Sequence, residues 1–148
     1  HLLFLGDLFH SRPTAEWLVF ERWLQSRLEQ KIIGQATLIM GNHDIHGKAH
    51  LPPDLHCQPS HESEGIFLTH EPMPEKDIPQ RGYNLSGHLH PAIQLKGKGR
   101  QKLRLPCFYF GEKQGHLPAF GQFTGMMPIN TQGKGRVFAV ADGAVVAC

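Results

Sequence analysis

Three short strings in this chain put metal-binding side chains directly behind apolar runs: LFLGDLFHS at Leu3 to Ser11, LIMGNHD at Leu38 to Asp44, and SGHLH at Ser86 to His90. They supply a carboxylate (Asp7), an amide oxygen (Asn42) and imidazoles (His43, His88, His90), and a histidine at the end of a further apolar run, His70, joins them. A mixed oxygen and nitrogen donor set suits Mn²⁺, iron or Zn²⁺, whereas a structural zinc site would call for thiolates. None of the three cysteines, Cys57, Cys107 and Cys148, lies near these strings. A site for two divalent metal ions accounts for all of them at once.

Such residues need strands to bring them together. In an open α/β sheet the carboxyl ends of neighbouring strands converge on one crevice, so distance along the chain is no obstacle to a shared site. The apolar run at His1 to Leu5 reads as a buried strand, and Thr14 to Gln30 reads as an amphipathic helix carrying Trp17, Leu18, Phe20, Trp23, Leu24 and Leu28 at helical spacing. Thr14 is its expected N-cap. Ala36 to Met40 reads as a second buried strand, Pro52, Pro53 and Pro59 punctuate a loop, and Gly65 to Thr69 forms a third apolar run. From Tyr83 onward the pattern is one of short extended segments, including Lys102 to Phe110 and Arg136 to Val146, which predicts antiparallel or mixed sheet. Gly6, Gly41 and Gly87 fit sharp exits from strands, where a side chain would obstruct the backbone.

Length and composition bound the rest. With 148 residues and no linker-like stretch, residues 1–148 are expected to form a single domain. A net charge of +2 does not by itself call for nucleic acid, and the eleven histidines carry more weight. The odd number of cysteines, without framework spacing, points to a reducing, cytoplasmic setting. No apolar run approaches the roughly 20 residues of a membrane span, so no membrane association is expected.

Each residue also has an ordinary reading. Asp7 alone would be a turn carboxylate, Asn42 and Asp44 turn formers, and His70 a satisfied polar residue with Glu71 as its competitor. His46, His50, His56, His61 and His116 read as surface or loop histidines. If the segment is a strand, the alternating cations Lys96, Lys98, Arg100, Lys102 and Arg104 fall toward one side of it, where they track a nucleic-acid backbone or simply form a solvated strand face or a hairpin edge protected by charge. Phe108, Tyr109, Phe110, Phe120 and Phe123 would stack on bases or build core.

The motifs together carry a resemblance. LGDLFHS, GNHD, the TH of LTHEP and GHLH resemble, in order, four of the five blocks of the calcineurin-like metallophosphoesterases. RLPCFYFG with LPAFGQFTG, from Arg104 to Gly125, resembles the bacterial DNA-ligase-associated group within that family. The resemblance implies an α/β fold, the αβ sandwich of two mixed sheets flanked by helices. It implies two divalent ions, manganese before iron or zinc, with Asp7 bridging them, Asn42, His70 and His88 completing one site and His90 serving the other. His43 is then the general acid, a role suited to imidazole near neutrality. Asp44 could orient it, and His10 would assist, since GDLFHS with a nearby Arg-Pro resembles the repair-nuclease branch of the superfamily. The family's opening Asp-x-His block is not found upstream of Asp7, so the chain is expected to be N-terminally incomplete, lacking the first strand and helix, and nearly inactive in this form. The implied function is a phosphodiesterase acting on nucleic acid or nucleotides in a DNA-repair setting through a metal-activated hydroxide. The alternatives are a small-metabolite phosphatase or a non-catalytic subunit. An ATP-dependent DNA ligase and a helicase are the implied partners.

Overall fold

The computed structural model describes residues 1–8, 15–44, 51–121, 124–130 and 134–148, and nothing is described of the side chains of Ala15, Glu16 and Arg100. It is a mixed α/β chain that divides into two compact units, His1–His61 with Leu68–His70, and Glu62–Phe67 with Glu71–Cys148.

The first unit is built on a parallel sheet with strand order β1 (Leu2–Phe4), β2 (Ala36–Ile39), β3 (Leu55–Gln58). In register, Leu2 lies opposite Ala36 and Phe4 opposite Leu38 on one side of β2, and Leu38 lies opposite Cys57 on the other. All four residues of the central strand are buried, as expected for a short apolar run with neighbours on both edges. Helix α1 (Ala15–Glu29) packs on this sheet through Leu24, which clusters with Ala36, Leu38 and Leu55 while Phe4, Trp17, Phe20 and Leu28 close around them. The ring of Phe20 sits 5.6 Å from that of Phe4 and 5.0 Å from that of Trp17. Positions 17, 20, 24 and 28 thus make the buried stripe. Leu18 and Trp23, expected in the same stripe, are 50% and 41% exposed.

The helix stops at a Schellman-type end: Lys31 takes φ 56° and donates to the Leu28 carbonyl, and the Ile32 N–H donates to that of Arg27. The segment around Pro52, Pro53 and Pro59 corrects the sequence expectation. It contains a strand, β3, because those prolines lie before its first and after its last paired residue and remove no ladder hydrogen bond.

β4 (Ser60–Ser63) and β5 (Ile66–Thr69) flank a turn in which Glu64 and Gly65 both have positive φ, 52° and 82°, the backbone of a two-residue hairpin turn. The second unit consists chiefly of β6 (Tyr83–Ser86), β7 (Pro91–Lys96), β8 (Lys102–Phe110), β9 (Gln114–His116), β10 (Met127–Pro128), β11 (Arg136–Ala141) and β12 (Ala144–Ala147), with 3-10 turns at Glu75–Asp77 and Lys98–Arg100. β8 is its spine, antiparallel to β7 through its first half and to β9 and β11 through its second. β6 and β9 pair in parallel, as do β7 and β10. The run from Arg136 to Val146 is two strands rather than one, reversed at Asp142 (φ 50°) and Gly143 (φ 75°). Cys107, fully buried midway along β8, has its thiol pushed up to about 11, first by burial and then by the thiol of Cys148. No helix among the described residues is long and apolar enough to cross a membrane.

Candidate metal centre

Within the first unit the residues that leave the ends of β1, β2 and β5 meet. β1 ends at Phe4 and leads to Leu5, Gly6 and Asp7; β2 ends at Ile39 and leads to Gly41, Asn42, His43 and Asp44; β5 ends at Thr69, directly before His70. The side chains of His70 and Asp7 are only 5% and 8% exposed. His70 Nε2 lies 3.3 Å from Asp7 Oδ2 and 3.2 Å from Asn42 Oδ1. The other ring nitrogen, Nδ1, is 2.8 Å from the Leu5 carbonyl oxygen.

That last contact fixes which ring nitrogen faces the oxygens. A carbonyl oxygen can only accept, so Nδ1 carries the hydrogen, and in the neutral ring Nε2 presents its lone pair to the two side-chain oxygens. Three lone-pair donors converging on one point, with one of them fixed in orientation by a backbone carbonyl behind it, is the arrangement a divalent cation requires. The donor types, carboxylate, amide oxygen and imidazole, fit manganese, iron or zinc.

Two glycines make this approach possible. A Cβ on Gly6, whose φ is 82°, would overlap the His70 ring, and a Cβ on Gly41 would overlap the carboxylate and backbone nitrogen of Asp7. Asp44 is fully buried, and its Oδ2 accepts the N–H of Asp7 at 2.7 Å and that of Gly41 at 2.9 Å. It therefore ties the strand-end loop after β2 to the one after β1. Asp7 is itself in the left-handed region, φ 53°, and its Oδ1 accepts the His43 N–H at 3.1 Å. Asn42 and His43 are exposed, so the rim of the cluster is open to solvent while its floor is not. His10, His46 and His50 lie outside the described residues. Glu71, the alternative to His70, is exposed and belongs to the second unit.

His88 and His90 belong to the second unit, just after β6. Both have positive φ, 53° and 48°, so the GHLH segment is a tightly wound loop rather than an extension of the strand. The His90 carbonyl accepts the Met127 N–H at 3.0 Å, which anchors β10 beside β7. His116, expected at the surface, is instead 8% exposed, with Nδ1 2.9 Å from Ser86 Oγ and its ring stacked 5.7 Å from that of Tyr109. Burial holds its imidazole below the ordinary histidine range. Nothing in its sequence neighbourhood marks it as internal, because the Ser86 partner lies on another strand. The Leu5 carbonyl was equally illegible, since a main-chain acceptor leaves no trace in residue type.

Neither a model of a known protein family nor a curated protein matches the chain at a significant level. Among solved structures, the crystal structure of the Pseudomonas putida nuclease MPE is similar over 99% of this chain and 69% of its own, with 35% sequence identity and a TM-score of 0.73. At that identity and coverage, with strand ends that gather a carboxylate, an amide and a tautomer-fixed histidine, this chain belongs to the same family as the Pseudomonas putida nuclease.

Proposed function

We propose that this protein is a metal-dependent phosphodiesterase acting on nucleic acid, a calcineurin-like metallophosphoesterase of the DNA-ligase-associated group. The observation that carries the reading is the His70 ring: its Nδ1–H is spent on the Leu5 carbonyl, and its Nε2 faces Asp7 and Asn42. Similarity to a nuclease supports the phosphodiester as substrate.

Asp7, Asn42 and His70 would hold one divalent ion, and the family resemblance adds His88 to that set. By the same resemblance, Asp7 and His90 would hold a second ion. Manganese is the first choice for both. When bound, such ions supply Lewis-acid charge and an activated water. The protein's own groups do the rest. The His43 side chain, on the open rim, donates a proton to the departing alkoxide oxygen; an unstabilised alkoxide is a poor leaving group and gains most from an acid near neutral pK. His10 would assist at the phosphate. Asp44 acts as a positioning residue through the backbone of Gly41 and Asp7, a role better supported by its hydrogen bonds than the direct orientation of His43. A ligase and a helicase remain the proposed partners, in the cytoplasm.

The test is hydrolysis by the full chain of single-stranded DNA, duplex DNA and simple phosphodiesters, with Mn²⁺ and with EDTA. Slow but measurable Mn²⁺-dependent cleavage of diesters is expected. Activity on phosphomonoesters alone would contradict it and favour a metabolite phosphatase.

A further inference from the structure

The cationic run from Lys96 to Arg104 is not one strand. β7 ends at Lys96, a 3-10 turn over Lys98–Arg100 with Gly99 at φ 68° reverses the chain, and β8 starts at Lys102. The register of this hairpin pairs Gln94 with Arg104, Leu95 with Leu103 and Lys96 with Lys102. Directly opposed residues of an antiparallel pair point to the same side, and successive residues alternate. Lys96, Lys102 and Arg104 therefore share one face with Gln94, whose Oε1 accepts from Arg104 Nε at 3.5 Å. Leu95 and Leu103 occupy the reverse face, 41% and 55% exposed.

Like charges placed directly opposite each other destabilise a strand pair. A single charge guards a sheet edge; a second lysine across the ladder adds repulsion. Among the described residues, no carboxylate is paired with Lys96, Lys102 or Arg104. None of the described residues supplies the counter-charge, and the phosphates of a nucleic-acid backbone would. Position gives the second argument, and it lies within one unit. Pro91, the first residue of β7, follows His90, so at about 3.4 Å per residue the face runs ~20 Å from His90 to Lys96, several phosphate spacings of a nucleic-acid strand.

We infer that the β7–β8 hairpin is the arm that binds the nucleic-acid backbone, with Lys96, Lys102 and Arg104 on phosphates upstream or downstream of the one being cleaved. The inference rests on the nuclease reading above, in that His90 marks the catalytic end of the arm.

The experiment measures binding of fluorescein-labelled 30-mers, single-stranded and duplex, to the full chain in EDTA, so that no turnover enters. Affinity is followed from 50 to 200 mM salt for the parent and for the Lys96→Gln/Lys102→Gln/Arg104→Gln variant. Loss of three phosphate contacts lowers the slope of log affinity against log salt by about 2 to 3 units, so over this range the parent should lose roughly fifteen- to sixtyfold more affinity than the variant. Lys102→Glu serves as a second variant: it gives Lys96 a cross-strand partner, so it should raise the melting temperature while weakening DNA binding. Mn²⁺-dependent hydrolysis of bis(nitrophenyl) phosphate should be the same in all forms. Equal salt slopes in parent and variant would overturn the arm, whatever the small diester shows. So would a variant that loses binding to phosphatidylserine vesicles and keeps binding to DNA. Failure of the parent to hydrolyse the small diester would overturn the phosphoesterase reading instead, and the salt slopes would still decide the arm.

Discussion

A single imidazole carries most of the chemical argument. His70 is turned by the Leu5 carbonyl so that its second nitrogen meets the carboxylate of Asp7 and the amide of Asn42, and the rim residue beside them, His43, is left facing solvent. His43→Ala should keep metal affinity and lose turnover on alkyl diesters by ~10²- to 10⁴-fold, the usual range for a general acid. With nitrophenyl esters, whose leaving group needs little protonation, steady-state assays should show a much smaller loss; equal losses would assign His43 to phosphate binding. Asp44 predicts a different signature. Its Oδ2 accepts two backbone N–H groups in a buried setting, so Asp44→Ala leaves both unsatisfied and should cost on the order of 3 kcal/mol, read from the denaturant midpoint.

At the scale of elements, the pairing of β6 with β9 has a titratable joint. Ser86 and His116 are in register and hydrogen-bonded, and burial keeps His116 below its ordinary value of 6.5. As pH falls through about 6.5 the unfolded chain takes up the proton first, so stability present above that pH is lost toward acid. Urea midpoints at pH ~7.5 and ~5.5 should therefore separate more in the parent than in His116→Gln. Equal separation would show that the imidazole titrates alike in the folded and unfolded chains. The elements themselves were legible where apolar runs were continuous: β1, α1, β2, β5 and β8 lie where periodicity puts them, within a residue or two at their ends. β3 was hidden behind prolines that bound the strand instead of breaking it. The hairpin of β7 and β8 was one of two open readings, because alternating cations on two antiparallel strands look like alternation on one. Asp7, Asn42 and His70 were readable as candidates because each follows a strand, whereas the glycine clearances at Gly6 and Gly41 and the backbone role of Asp44 depend on contacts between segments distant in sequence.

For the molecule as a whole, the central proposal is that the strand ends hold a divalent metal for work on phosphodiesters, a reading that similarity to a nuclease supports. An imidazolium at His70 would satisfy the same contacts with Asp7 without any metal, so binding itself is the deciding property. Calorimetric titration of the full chain with Mn²⁺, beside Asp7→Ala and His70→Ala, separates the two. Outer partners of metal ligands are worth about 10- to 100-fold in affinity, so loss of a ligand should weaken binding by at least about a hundredfold. The account predicts that the parent binds Mn²⁺, that both variants lose at least this much, and that both still unfold cooperatively. Mn²⁺ affinity unchanged in both variants, or no binding by the parent, would contradict it.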